Sequence, residues 1–167
     1  MLPLFRRVTL GIGIALVLSF VVVSAQGPDP LVGTWKLNVA ASKYEPGPAP
    51  KSSTRTFTDG GGGLFVSAQR GIDAEGNPTW AHYAFKFDGK GYPYAAATLP
   101  GATPKFTTIG FKRIDASTWE NTVTADGQVT STNTYTISKD GKTLTQRQKG
   151  TNAKGQPMNN VIVWDKQ

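Results

Sequence analysis

The chain has no cysteine and a single histidine, His82, among its 167 residues. Without a thiol there is no disulfide framework, no thiolate metal site, no cysteine nucleophile and no lipid anchor on an N-terminal cysteine. One imidazole cannot build a histidine metal cluster, and His82 as a general base would need an oriented partner. The Gly-x-Ser-x-Gly elbow, the phosphate loop and paired carboxylates are also missing. Asp59, Asp73, Asp88, Asp126 and Asp140 stand beside or near glycines, but none has the Asp-x-Asp-x-Asp spacing of a calcium loop. They read as turn residues. No metal, no cofactor and no catalytic residue follows from these patterns.

Acidic residues are few. Eleven Asp and Glu face eighteen Lys and Arg, a formal charge of +7. The cations are scattered and alternate with Thr and Ser, so they read as a solvated surface and not as a nucleic-acid patch.

Long apolar runs are confined to the start. Arg6 and Arg7 precede the apolar stretch Val8 to Val23, and Val23-Ser24-Ala25 supplies small residues at a cleavage position. The pattern is that of a secretory signal peptide over residues 1–25, cut after Ala25. The run is shorter than the ~20 residues of a spanning helix, so no membrane span is expected after cleavage. Cleavage leaves 142 residues with a charge of +5, enough for one domain with a real core, secreted or periplasmic. Residues 26–30, bracketed by Pro28 and Pro30, read as a flexible leader, and residues 31–167 as the domain.

What remains alternates. In Leu31-Val32-Gly33-Thr34-Trp35-Lys36-Leu37-Asn38-Val39, residues Gly33, Trp35, Leu37 and Val39 share one face. That period of two is a strand with one buried side. Ala40 to Tyr44 has room for one helical turn, and Glu45-Pro46-Gly47-Pro48-Ala49-Pro50 forms a stiff crossing loop. Ser53, Arg55 and Phe57 share a face after it, and the glycines at 60–63 turn the chain. Leu64, Val66 and Ala68 mark the return strand, and Tyr83, Phe85 and Phe87 line the next. Asp88-Gly89-Lys90-Gly91 reads as a turn and Tyr92 to Thr98, with Pro93, as an edge or bent strand. Leu99 to Pro104 reads as loop. Phe106 to Ile114, Thr118 to Ala125, Val129 to Ser138, Thr143 to Lys149 and Met158 to Asp165 complete the set. Thr130, Thr132, Thr134 and Thr136 face outward, with Val129, Ser131, Asn133, Tyr135 and Ile137 opposite. Trp35, Trp80, Trp119 and Trp164 read as core. The class is all-β, a single antiparallel barrel of eight to ten strands, with a β-sandwich as the alternative.

The chain also echoes itself. Arg70 to Pro78 matches Lys149 to Pro157 in residue type, and each is followed by a strand ending in an aromatic and aspartate, Phe87-Asp88 and Trp164-Asp165. A duplicated half-barrel and convergent hairpin chemistry both account for it.

Gly33-Thr34-Trp35 resembles the Gly-x-Trp signature on the first strand of lipocalins and fatty-acid-binding proteins, the calycin group. The resemblance implies a lipocalin-like barrel holding a small apolar molecule. Fatty-acid-binding proteins add two helices after that strand and a late Arg-x-Tyr pair; here the proline loop intervenes and Arg147 is followed by Gln148 and Lys149, so that pair does not transfer. Gly33-Thr34-Trp35-Lys36-Leu37-Asn38 is also similar to uncharacterised secreted bacterial proteins, a likeness that implies no activity.

Trp35, Arg55, Phe57, Asn133, Tyr135 and Gln146 are the candidate ligand-binding residues. Arg55, if inward, could pair with an anionic group in a dry interior; on the rim it would reach solvent. Asn133, Tyr135 and Gln146 put polar groups on otherwise apolar faces, the mark of a cavity or of a wet rim. The leading expectation is a secreted, non-enzymatic barrel for a small apolar or amphipathic ligand. The alternatives are a filled barrel serving as an envelope interaction or inhibitor module, and a small-barrel enzyme of cyclase or hydratase type.

Overall fold

A computed structural model of the chain describes residues 27–97, 107–152 and 154–167. The expected signal segment and the expected loop at 99–104 lie outside the described residues. The described residues form ten strands: β1 (Gly33–Leu37), β2 (Ser52–Gly61), β3 (Leu64–Ile72), β4 (Pro78–Phe85), β5 (Asp88–Ala97), β6 (Thr107–Arg113), β7 (Thr118–Ala125), β8 (Gln128–Ile137), β9 (Thr143–Thr151) and β10 (Pro157–Lys166). Each pairs antiparallel with its neighbours in sequence, and β1 closes on β10. The fold is thus one closed up-and-down barrel and not a sandwich. Closure leaves no edge strand for other chains to pair with.

Turn chemistry sets the hairpins. Asp126 (φ 50°) and Gly127 (φ 78°) are both left-handed, the two-residue turn whose twist matches the flanking strands. Asp73 caps its own turn by accepting the Gly76 and Asn77 amides. Asp88-Gly89-Lys90-Gly91 differs from expectation. These residues open β5, and a bulge between Asp88 and Gly91 absorbs the irregularity. Nor is β5 an edge. Pro93 pairs with Thr108 of β6 and Tyr94 with Tyr83 of β4, so β5 has a strand on either side. Ala40 to Tyr44 forms no helical turn; Lys43 makes an isolated antiparallel bridge to Val161.

Two bulges also invert expected faces. One between Asp59 and Gly61 puts Phe65, Ser67 and Gln69 inside, while Val66 is exposed. Another between Val123 and Thr124 turns Val129 out to solvent. Trp80 also corrects the reading of four core tryptophans. It alternates with Ala81 and Tyr83, so it lies on the outer wall, tilted against His82 at 5.5 Å.

The interior has two unlike halves. One is solid aromatic: Phe85 stacks on Phe111 at 3.8 Å between centroids, with Phe57, Phe65, Phe87 and Trp119 around them. Each ring fully removed from water contributes about 1.5–3 kcal/mol. Leu31 and Trp35 are fully buried, joined by a 2.9 Å hydrogen bond from Trp35 Nε1 to the Leu31 carbonyl. The preceding segment is anchored. Asp29 pairs with Arg113 and accepts the Leu31 amide, and Lys166 donates to the Pro30 carbonyl. The other half is polar and hollow. Among the described residues no helix is long and apolar enough to cross a membrane.

Candidate functional site

Arg55 is the centre of the polar half. Alternation along β2 turns Ser53, Arg55 and Phe57 inward, and Arg55 keeps only 7% of its surface exposed. Its Nε and Nη2 both donate to Gln69 Oε1, Nε at 3.0 Å. Gln69 is its cross-strand partner on β3 and in turn donates to Ser53 Oγ at 3.0 Å. The guanidinium lies 4.8 Å from the Trp164 ring centroid and 5.8 Å from that of Phe57.

Nη1 reaches across the barrel to β8 and β9. It donates to Tyr135 Oη at 3.4 Å and Gln146 Oε1 at 3.5 Å. From Gln146 a relay runs on: Gln146 Nε2 to Asn133 Oδ1 at 2.8 Å, Asn133 Nδ2 to Asn121 Oδ1 at 2.7 Å, and Asn121 Nδ2 to Tyr135 Oη at 3.1 Å. Every amide in the relay donates in the same sense. Both routes from Arg55 therefore end on the phenol oxygen of Tyr135.

The electrostatics have one missing part. The ion pairs among the described residues are Lys43–Glu45 and Arg113–Asp29, and neither involves Arg55. Among the described residues all the partners of Arg55 are neutral: an amide pair, a phenol and two rings. A buried cation held only by neutral dipoles carries a residual desolvation cost that an anion would offset. Burial opposes the charge of Arg55, but the neighbouring phenols of Tyr83 and Tyr135 outweigh it and raise its pKa further. Burial pushes Tyr135 up to about 12, with Arg55 pulling the other way. Tyr135 stays a neutral hydroxyl at physiological pH.

The space beside Arg55 is a cavity of about 290 Å³ lined by Ser53, Gln69, Tyr94, Gln146, Gln148 and Trp164, among others. It opens past Tyr44, Pro50, Asp73 and Thr79. A smaller void of about 70 Å³ continues it inward, between Arg55, Asn121, Asn133 and Tyr135. The larger has room for roughly ten waters at liquid density. A strap crosses beside the mouth: the Glu45 amide donates to Asn160 Oδ1, and Glu45 accepts from the Asn159 amide. A wider concavity of about 460 Å³, with Arg70, Trp80 and His82, lies on the outer wall, away from this network.

Of the residues singled out from sequence, Arg55, Asn133, Tyr135 and Gln146 meet here. Trp35 and Phe57 do not. Trp35 is sealed in the packed half against Leu31, and Phe57 forms the floor beneath Arg55 and lines neither cavity. Gln148, which shares the face of Gln146 and Leu144, joins the first four; Gln69, Asn121, Tyr94 and Trp164 complete the lining and were missed, as was Asn160, which donates to Gln148 Oε1 at 2.9 Å. Asn121 and Asn160 alternate in step with Trp119 and Trp164, a signal readable from the strand period. Among the described residues no cluster of His, Cys, Asp or Glu could hold a metal ion.

No protein-family model matches the chain, and no curated protein matches it significantly. Among solved structures it is similar to the crystal structure of Rv2717c from M. tuberculosis, at 16% identity and a TM-score of 0.51, over 83% of this chain and 93% of that one. At that identity the likeness concerns the barrel fold.

Proposed function

We propose that the protein is a non-enzymatic, lipocalin-like barrel that binds a small amphipathic molecule through an acidic group. The observation that carries this reading is Arg55, a buried cation with no carboxylate partner among the described residues, facing a cavity. A carboxylate or similar oxyanion at Nη1 would complete the charge balance, and the Tyr135 hydroxyl, already accepting from Arg55 and Asn121, would donate to it. The apolar tail would lie along Trp164, Ile162 and Tyr94 toward the mouth. Mixed polar and apolar lining with a few convergent polar groups is the common build of small-molecule sites. The up-and-down order and the Gly33-Thr34-Trp35 strand support the lipocalin-like part of the reading. The basic and apolar leader at residues 6–23 supports a secreted or periplasmic location.

Calorimetry with octanoate and with octylamine tests it. Octanoate is expected to bind and octylamine is not. Equal binding of both, or of neither, would defeat the reading. A second reading, an envelope interaction module, has one observation in its favour: Trp80 is exposed beside His82 in the outer concavity.

A further inference from the structure

The two echoing segments occupy matching places. β3 passes to β4 through a turn in which the Asp73 amide donates to the Asn77 carbonyl at 2.9 Å. β9 passes to β10 through one in which the Asn152 amide donates to the Gln156 carbonyl at 2.9 Å. Hairpin chemistry alone would produce that much. The strands on either side go further. Ser53 pairs with Gly71, Arg55 with Gln69, and Phe57 with Ser67; Ser131 pairs with Gly150, Asn133 with Gln148, and Tyr135 with Gln146. Gln69 then pairs with Ala81 and Phe65 with Phe85, as Gln148 pairs with Asn160 and Leu144 with Trp164. The register is the same from Ser53 and Ser131 through Phe85 and Trp164. The aromatic equivalent to Trp164 is thus Phe85 and not Phe87.

Identities also fall where turn chemistry has no say. Ser53, Thr54, Thr56 and Thr58 match Ser131, Thr132, Thr134 and Thr136, and Gln69 matches Gln148. Gly71 and Gly150 meet the same neighbour. A Cβ on Gly71 would stand 2.5 Å from the Ser52 carbonyl oxygen, and one on Gly150 2.2 Å from that of Thr130. Two unrelated hairpins have no reason to press the same point of a preceding strand.

We infer that β2–β4 and β8–β10 are two copies of one three-stranded unit, and that Asn133, the counterpart of Arg55, determines how many acidic groups the cavity accepts. The second clause rests on the reading of Arg55 as the anion anchor. Both positions face the same inner void. Arg55 is forked on Gln69; Asn133 has Gln148 across from it in the same register. One position is cationic and the other neutral, so the site takes a single acidic group. A guanidinium at 133 would meet Gln148 Oε1, sharing it with Asn160 Nδ2 at 2.9 Å, and would admit a diacid.

The experiment compares octanoate with suberate, the dicarboxylate of equal chain length, by calorimetry. The proteins are the wild type, R55N, N133R and R55N/N133R. Wild type is expected to favour octanoate by about tenfold or more. R55N should lose about tenfold in octanoate affinity, N133R should gain about tenfold for suberate, and the double variant should recover octanoate binding to within about threefold. A crystal structure of R55N/N133R should place the introduced guanidinium on Gln148 Oε1. If R55N keeps its octanoate affinity, the anchor reading falls, and the guanidinium position alone decides the equivalence. If R55N loses affinity and the double variant does not recover it, the anchor stands and the inference about Asn133 falls. A guanidinium turned to solvent overturns the equivalence. So does failure of both 133 variants to fold, since equivalent walls would hold the same side chain.

Discussion

Tyr135 on β8 accepts a hydrogen bond from Arg55 on β2 at 3.4 Å, across the barrel from strand to strand. The contact joins elements 80 residues apart in the chain and links the two walls of the cavity. It is polarised. Arg55 reaches the phenol oxygen directly and also through Gln146, Asn133 and Asn121, whose amides all donate toward it. Cooperative alignment of this kind strengthens the outgoing O–H donor.

The same arrangement makes Arg55 costly to the empty barrel. Removing the charge relieves its desolvation, but it also leaves the Gln69 and Gln146 side-chain oxygens without the donor they accept from. The two effects oppose each other, so Arg55→Met is expected to change stability by no more than about 2 kcal/mol in either direction, while octanoate affinity drops by about tenfold or more. Urea unfolding and calorimetry on one preparation check both. A stability loss above about 2 kcal/mol with binding retained would assign Arg55 to the scaffold instead.

Alkaline unfolding follows from the phenols. Burial pushes Tyr44 and Tyr135 up to about 12, from an ordinary value of 10.0. The unfolded chain releases these protons first, so the folded state holds more of them between the two values. Stability is then full below about pH 10 and falls as pH rises through the folded values, by up to about 1.4 kcal/mol per pH unit for each fully shifted group. Urea midpoints over that range, with phenolate absorbance in parallel, should show the decline. Tyr135→Phe should make it shallower. An equal slope in the variant would mean that Tyr135 ionises as freely folded as unfolded.

Much of the inward polar set was legible because alternation needs no knowledge of neighbours. Arg55 beside Phe57, Tyr135 beside Asn133, and Gln146 beside Leu144 all declare their face by the period of two. The pairing of walls was not legible. Which residues meet across a barrel depends on tilt and stagger, and those accumulate over every hairpin. A glycine-rich turn hides its own length in register. One bulge at Asp59 and Gly61 is enough to exchange Val66 for Phe65 and to bring Gln69 under Arg55. Trp80 misled for the opposite reason: size argued for burial, while its phase with His82 placed it outside.

Ser67 gives a cleaner stability test. Its side chain is fully buried and its Oγ has no hydrogen-bond partner among the described residues. An unpaired buried hydroxyl costs about 1–3 kcal/mol. Ser67→Ala removes the hydroxyl and leaves the strand as it is, so the protein should gain about 1 kcal/mol. The urea midpoint should rise with the slope of the transition unchanged. A loss of stability would mean that the hydroxyl is satisfied in solution.

Gly71 and Gly150 offer a test of the repeated unit that needs no ligand. Both glycines stand on the second strand of their unit, and both press on the carbonyl that precedes a serine on the first. At 2.5 Å and 2.2 Å an added Cβ meets backbone, which cannot rotate aside as a side chain would. Gly71→Ala and Gly150→Ala should each cost about 2–3 kcal/mol, the scale of overpacking a closed interior. Gly60→Ala supplies the control, since its nearest neighbour would be the Leu64 carbonyl oxygen at 3.3 Å. That variant should lose under about 1 kcal/mol. The two large losses should come as a pair, because the two walls are built alike. Tolerance at one glycine and collapse at the other would show that the strands only resemble each other in sequence.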